Sequence, residues 1–196
     1  MRPDRKHLAN SVLGWLYDDE AAALHAYALK APAGDMAEVG AYCGKSTIWL
    51  GDAAAQRGVK LWSVDWHHGS PEMQPGKENF DEELVVDGEP DTLHQWRRNV
   101  DHAGLGDTVI GVVGKSIPVA AGFSRGQFGL VFIDANHGPP VIDDGREWGQ
   151  LVKADGFLIF HDSTIEYVQE AIENAFDNGF DFVEPIHDMA VLVRCL

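Results

Sequence analysis

The chain of 196 residues has little cysteine, few basic residues and no long apolar run, and each shortage excludes a class of protein. Its two cysteines cannot form the disulfide framework of a small secreted domain, so we expect a reducing, cytoplasmic compartment. Fifteen lysines and arginines stand against 31 acids, which gives a formal net charge of −16. Such a surface repels nucleic acid and anionic membranes, and neither is an expected partner. No apolar stretch behind the N-terminus is long enough for a signal peptide or a membrane span.

The apolar segments alternate between strand-like and helix-like patterns. An N-terminal helical region, residues 1–30 with its helix from about 8 to 30, precedes the first strand at about 36–39. Further strands are predicted at about 60–65, 108–113, 128–133 and 156–160, with helices between them, and a final strand pair covers 180–185 and 189–193. Near-continuous apolar strands separated by helices predict a single α/β domain over residues 1–196, with a mostly parallel sheet covered on both faces.

A glycine turn connects the first strand to the next helix. Glu38 ends the apolar run, and Gly40 and Gly44 bracket three residues before a helix-forming run. Gly40 can adopt a positive φ and let a ligand approach the backbone, while Ser46 or Thr47 offers a hydroxyl to the first helical N–H groups. The spacing matches neither the dinucleotide fingerprint nor the phosphate loop. An acid before the turn suits a ligand with a positive centre, although an ordinary tight turn of an α/β protein is the alternative.

The second strand also ends in an acid. Asp65 follows Gly40 by about 25 residues, where an acid in open α/β folds bonds ribose hydroxyls. Trp66 comes next and could stack on a base. The alternative is that Asp65 caps the strand end and that Trp66 packs in the core.

Polar side chains end four of the predicted strands. Because ligands of open α/β sheets bind at the carboxyl edge, these residues predict a site there. They are Glu38, Asp65, Asp134, His161 and Asp162.

A long irregular segment, residues 67–91, follows the second strand. It is rich in proline, glycine and acids, and a loop of this length in a small domain is typical of a lid or substrate loop. His67 and His68 could bind a metal or a substrate there, but histidines in loops usually do neither.

These motifs together resemble the class I S-adenosylmethionine-dependent methyltransferases, and their later part is similar to methyltransferase family 24, akin to small metal-dependent O-methyltransferases. The match spans about residues 31–162. The family fold implied is a Rossmann-like, seven-stranded, mostly parallel sheet with helices on both faces and the last strand antiparallel. The residues that carry the resemblance are Glu38, Gly40, Gly44, Ser46, Thr47, Asp65, Gly114, Lys115, Ser116, Phe132, Ile133, Asp134, His137, Asp144, Trp148, Phe160, His161 and Asp162.

The resemblance implies a role for each matching residue. Glu38 and Gly40 would hold the methionine part of the cofactor, Ser46 its carboxylate or the turn itself, and Asp65 the ribose. Ser116 would contact adenine, although Lys115 stands where the family often has an acid. The predicted cofactor-binding set is Glu38, Gly40, Tyr42, Gly44, Ser46, Asp65, Trp66, Ser116 and Asp134.

Methyl transfer to a hydroxyl can proceed by two routes here. In the first, Asp134, Asp162 and His161 hold Mg²⁺ or another divalent cation, which lowers the pKa of the acceptor hydroxyl. In the second, no metal is used and His137 or His161 is the base. We predict His137 as the general base, with Asp134 and His161 completing the catalytic group. A structural role is the alternative: Asp162 could cap a helix beside a buried His161, and His137 could cap the following helix.

The most direct functional prediction is therefore an S-adenosylmethionine-dependent O-methyltransferase that acts on a small-molecule acceptor. Because the 67–91 segment is acidic, we expect this acceptor to be neutral or cationic. A non-catalytic nucleotide-binding protein and an NAD-linked oxidoreductase are the competing classes, and Glu38 with the glycine spacing disfavours the latter. The sequence does not decide the oligomeric state, and a homo-oligomer stays open.

Overall fold

The computed structural model describes residues 1–77, 79–135 and 137–195, and the helices and strands of these residues follow the predicted alternation. The helices are α1 (Pro3–Ser11), α2 (Asp18–Lys30), α3 (Lys45–Arg57), α4 (Leu93–His102), α5 (Ser116–Ala120), α6 (Pro140–Gly149) and α7 (Glu166–Asp177). The strands are β1 (Asp35–Val39), β2 (Leu61–Asp65), β3 (Val85–Val86), β4 (Glu89–Pro90), β5 (Val109–Val113), β6 (Phe128–Ile133), β7 (Val152–Phe160), β8 (Phe180–Ile186) and β9 (Met189–Arg194).

The main sheet has seven strands in the order β5-β2-β1-β6-β7-β9-β8. The pairs from β5 to β7 are parallel, whereas β9 runs antiparallel to both β7 and β8. This confirms the predicted Rossmann-like, mostly parallel sheet with an antiparallel last strand. The carboxyl ends of β1, β2, β6 and β7 therefore lie along one edge.

Helices cover both faces of the sheet because successive strand residues point to opposite sides. Met36 belongs to one apolar cluster, which is packed with side chains of α1–α4. Ala37 and Val39 belong to the other, which is packed with side chains of α6 and α7. Glu38 lies on the same side of β1 as Met36, so its carboxylate is directed toward α3 rather than toward solvent.

The N-terminal region contains two helices, not the single helix predicted from about residue 8 to 30. The break falls at Gly14, whose φ of 150° does not fit a helix. Tyr17 is the N-cap of α2, so Asp18 and Asp19 lie in its first turn instead of capping it. The connecting segment leaves Trp15 and Tyr17 each 56% exposed.

A buried charge cluster holds α1 and α2 against α3. Asp52 of α3 is fully buried and accepts a hydrogen bond from Arg5 Nη1 at 2.9 Å, while His25 Nε2 lies 3.0 Å from its other oxygen. Arg5 Nε also donates to the Ala103 carbonyl at 2.9 Å. None of the helices in the described part of the chain is long and apolar enough to cross a membrane.

The segment 67–91 consists of two short 3₁₀ turns and the small hairpin β3–β4; Glu78 lies outside the described residues. Its start is anchored, because Thr92 N donates to His67 O at 3.1 Å and His67 Nδ1 lies 2.7 Å from Thr92 Oγ1. His67 is 4% exposed, so its role here is structural, as histidines in loops usually have. The lid function of the segment stays a prediction.

Candidate active site

The glycine turn is shaped by contact with the neighbouring strand. Gly40 and Gly44 have φ angles of 90° and 92°, which only glycine adopts easily. A Cβ on Gly40 would lie 2.0 Å from the Asp134 carbonyl oxygen. The backbone that follows β6 therefore approaches Gly40 closely on the side where a Cβ would stand. The glycine turn at residues 40–44, called the cofactor turn below after its predicted ligand, is thus in direct contact with Asp134.

Glu38 lies beneath this turn and is fully buried. Its Oε2 accepts hydrogen bonds from Thr47 Oγ1 and Ser63 Oγ, each at 2.7 Å. Oε1 is buried and has no hydrogen-bond partner among the described residues. Burial raises the pKa of Glu38 to about 7, although the hydroxyls of Ser46, Thr47 and Ser63 act to lower it. The Thr47 hydroxyl therefore donates to Glu38 rather than capping α3. The N-cap of α3 is Gly44, which has no side chain that could accept a hydrogen bond from the first helical N–H groups.

Asp65 holds the backbone of the turn with one carboxylate oxygen and the start of the 67–91 segment with the other. Oδ2 accepts from Ala41 N at 2.7 Å and from Tyr42 N at 2.8 Å, and Oδ1 accepts from His67 N at 2.7 Å. Tyr42 has a φ of 47° and lies 5.3 Å from the Trp15 ring, measured between centroids. The ribose contact predicted for Asp65 and the cofactor contact predicted for Tyr42 stay predictions.

The predicted adenine end lies where β2 and β5 end side by side, with Asp65 paired to Val113. Trp66 is 46% exposed there, which rules out the alternative that it packs in the core, and Lys115 Nζ lies 5.5 Å from its ring centroid. Ser116 Oγ donates to the buried Asp144. Burial raises the pKa of Asp144 to about 6, against the opposing effect of the serine hydroxyl.

The polar ends of β6 and β7 meet as predicted. Ile133 pairs with Phe160 in parallel register, so Asp134 and His161 emerge next to each other. His161 Nδ1 lies 3.0 Å from Asp162 Oδ2 and 3.4 Å from Asp134 Oδ1. Asp162 has a φ of 52°, an uncommon conformation for a residue with a side chain and one often found at functional sites. Asp162 does not cap the following helix, whose N-cap is Ile165.

The donor set of Asp134, His161 and Asp162 fits a divalent cation. One ligand atom from each lies within 4.8 Å of the other two, and two carboxylates with one imidazole suit Mg²⁺ or Mn²⁺. Burial opposes a charged ring at His161, but its contacts with carboxylates raise its pKa to about 12. The raised pKa disfavours His161 as the free base that the second route considered.

One acid of this cluster was missed in the sequence. Glu20, in the first turn of α2, is fully buried and its Oε2 lies 3.1 Å from His161 Nε2. It stands beside the exposed Asp19 in an acid-rich stretch. The sequence signal that could have drawn attention to Glu20 is its position three residues after Tyr17, the spacing of a capping box. Its carboxylate accepts a hydrogen bond from Tyr17 N at 2.9 Å.

His137 lies at the rim of the same cluster with its side chain 34% exposed. Its Nε2 is 2.8 Å from Asp162 Oδ2, and its Nδ1 is 3.4 Å from Glu72 Oε1 of the 67–91 segment. The contact with Asp162 raises the pKa of His137, and burial only partly opposes this. His137 does not cap α6, whose N-cap is Pro139.

Comparison with known proteins identifies the family. Residues 37–163, about two thirds of the chain, match the family model described as a methyltransferase domain, methyltransferase family 24. The chain belongs to this family. The sequence-based resemblance is thereby confirmed, and the chain is a methyltransferase of the S-adenosylmethionine-dependent class.

Solved structures share the fold at low sequence identity. A protein of Corynebacterium glutamicum is 14% identical with a TM-score of 0.70, and the match covers 98% of this chain and 88% of that one. The O-methyltransferase TomG of Streptomyces achromogenes, involved in tomaymycin synthesis and solved with S-adenosylmethionine, is 13% identical with a TM-score of 0.69, covering 100% and 91%. A methyltransferase of Geobacter sulfurreducens is 17% identical with a TM-score of 0.63, covering 98% and 87%.

Proposed function

We propose that this protein transfers the methyl group of S-adenosylmethionine to a hydroxyl of a small-molecule acceptor, with a divalent cation bound by Asp134, His161 and Asp162. The observation that carries the proposal is the contact between the two parts of the site. Gly40 of the cofactor turn packs directly on the backbone of Asp134. A cofactor above the turn and an acceptor held at Asp134 would therefore be neighbours. That the solved relative TomG is an O-methyltransferase supports the same reaction.

The cofactor residues fit a ligand with positive groups. S-adenosylmethionine supplies an electrophilic methyl group on a sulfonium centre, together with an ammonium group. Glu38 Oε1 is a buried acceptor that has no hydrogen-bond partner among the described residues, and it suits such an ammonium group. Asp65 would hold the ribose, Trp66 offers an exposed aromatic face for the base, and Ser116 lies at the adenine end.

The metal residues suit a hard cation with one histidine ligand. A divalent cation at this site would supply a Lewis acid that lowers the pKa of the acceptor hydroxyl. His161 can ligate only as the neutral ring, so it must lose the proton that it holds in the metal-free protein. Asp134 and Asp162 already lie on the Nδ1 side of that ring, at 3.4 and 3.0 Å.

The proposed base, His137, lies at the rim of the cluster and would receive the acceptor proton there. Both of its nitrogens face carboxylates, and the contact with Asp162 raises its pKa. As a base it needs the neutral form, which a cation bound to Asp162 would favour by withdrawing that carboxylate's charge. The two proposals, metal and base, therefore depend on each other through Asp162.

One observation favours a second candidate, a metal-independent methyltransferase. The His161 imidazolium already neutralises part of the charge of three carboxylates, and the cluster is closed without a metal. In that case His137 alone would act as the base, and it would do so only at a pH above its raised pKa.

Metal dependence separates the two candidates. Mn²⁺ should bind to the wild-type protein in calorimetry, and Asp162→Asn should weaken this binding by at least about tenfold because it removes an anionic ligand. Asp143→Asn is the matched control, since Asp143 is an exposed acid of α6 paired with Arg146. Methyl transfer that survives exhaustive chelation would rule out the metal route.

The base is tested by His137→Gln. We expect kcat to fall about 10²-fold or more while the affinity for S-adenosylmethionine stays nearly unchanged, because His137 faces the acceptor side of the site. A variant with near-normal turnover and lower thermal stability would show that His137 is structural.

A further inference from the structure

A buried acid of the N-terminal region reaches the metal cluster from the opposite side of the His161 ring. Glu20 lies in the first turn of α2 and its side chain is fully buried. Oε2 accepts a hydrogen bond from Tyr17 N at 2.9 Å and lies 3.1 Å from His161 Nε2, and Oε1 accepts from Asp188 N at 2.9 Å. Both oxygens are therefore occupied by protein groups.

The two nitrogens of His161 face different partners. Nε2 faces Glu20, whereas Nδ1 faces Asp134 and Asp162, the two other members of the ligand set. The ring is 5% exposed and packs edge-on against Phe132, so it has little freedom to flip. With Glu20 as acceptor, the proton of the neutral ring is placed on Nε2, and the Nδ1 lone pair is left for a cation.

A role in capping α2 does not account for this arrangement. An acid at the third position of a helix can accept the N-cap N–H from the surface, and capping alone does not require a fully buried carboxylate. Removing a charged group from water is costly unless other contacts compensate. The contacts that compensate here are those to His161 and Asp188, which lie far from Glu20 in the sequence.

We propose that Glu20 is a positioning residue for the metal site, because it fixes the His161 ring with Nδ1 toward Asp134 and Asp162. This inference rests on the metal binding in the proposed function. Histidine ligands in proteins commonly donate their second N–H to a carboxylate, and loss of that partner typically lowers metal affinity 10- to 100-fold. The N-terminal region would then be part of the site although it lies outside the matched residues 37–163.

The test is titration of Mn²⁺ alone into the metal-free proteins by calorimetry. Glu20→Gln keeps the size of the side chain but has one oxygen for three donors, so at least one contact must be lost. We expect its Kd for Mn²⁺ to rise about 10- to 100-fold. Asp19→Asn is the matched control, because the neighbouring Asp19 is exposed and its carboxylate contacts His187 and the Glu20 N–H rather than His161; its Kd should change less than about twofold.

Thermal melting without metal separates positioning from a purely structural role. If Glu20→Gln melts lower than wild type but binds Mn²⁺ equally well when folded, Glu20 is structural and the inference is wrong. If the wild type binds no Mn²⁺, the metal part of the proposed function fails first, and the inference with it.

A measurement on the wild type covers the case in which Glu20→Gln does not fold. In ¹H–¹⁵N spectra of the protein loaded with Mg²⁺, His161 should carry its proton on Nε2 and none on Nδ1. A proton on Nδ1 with a free Nε2 would contradict the proposed orientation.

Discussion

Glu38 places a group that titrates near neutral pH beneath the cofactor turn. Its pKa of about 7 lies well above the ordinary value of 4.5 because the carboxyl is fully buried. The folded protein therefore holds a proton on Glu38 between about pH 4.5 and 7 that the unfolded chain releases. This group favours folding at the acidic end of that range, and the contribution is lost as the pH rises through 7.

Cofactor affinity should follow the ionised fraction of Glu38 if the ammonium group of S-adenosylmethionine requires the carboxylate. With a pKa of about 7, roughly a tenth of the molecules are ionised at pH 6 and roughly nine tenths at pH 8. The apparent Kd is the intrinsic Kd divided by this fraction. We therefore expect binding about tenfold weaker at pH 6 than at pH 8, with close to one proton released per cofactor bound at pH 6.

Titration calorimetry in two buffers of different ionisation enthalpy measures both quantities. The amino group of the cofactor titrates near pH 8 as well, so the informative value is the difference between wild type and Glu38→Gln. The variant keeps the size of the side chain and can still accept from Thr47, but it cannot ionise. Equal pH profiles and equal proton release in the two proteins would falsify the role of the Glu38 charge.

Three further predictions concern stability, each measured by urea unfolding. Asp144→Asn should remove the cost of ionising a buried carboxyl. Because the pKa of Asp144 is raised from 3.8 to about 6, the wild type should lose at most about 3 kcal/mol of unfolding free energy as the pH rises from about 4 to 7, and the variant should not. Asp52→Ala should lower the free energy of unfolding by about 3–5 kcal/mol because it leaves Arg5 buried without its anion. If the ion pair is responsible, adding Arg5→Met to this variant should restore part of the loss. Gly40→Ala should lower stability even without cofactor, because its Cβ would collide with neighbouring backbone; a stable variant that only fails to bind cofactor would contradict this.

The sheet could be predicted because its signal is local. Strands β1, β2, β5 and β6 are largely apolar segments of five or six residues, and their alternation with helices predicts a parallel sheet. The acids at the strand ends could be assigned to one edge for the same reason. The pairing of Ile133 with Phe160 then brings Asp134 and His161 together without further information.

The partners of these side chains could not be predicted, since they come from distant parts of the chain. Glu20 and His161 are 141 residues apart, and the local sequence indicates at most the contact of Glu20 with Tyr17 N, not its contact with His161. Asp65 also accepts backbone hydrogen bonds from Ala41 N, Tyr42 N and His67 N, contacts that its place at a strand end did not predict. The break in the N-terminal helix depends on a single glycine, Gly14, within a pattern that is otherwise helical.

The charge balance of the cluster links the two proposed roles of its histidines. Three carboxylates surround His161 and two face His137, in a protein that is already strongly acidic. Anions placed this close favour protons on the rings between them, and the carboxylates accordingly raise the pKa of both His137 and His161. A divalent cation on the Nδ1 side of His161 would replace one of these protons and reduce the need for the other. Metal binding would then favour the neutral ring of His137, and neutralising Asp162 should remove a metal ligand and at the same time lower the pKa of His137.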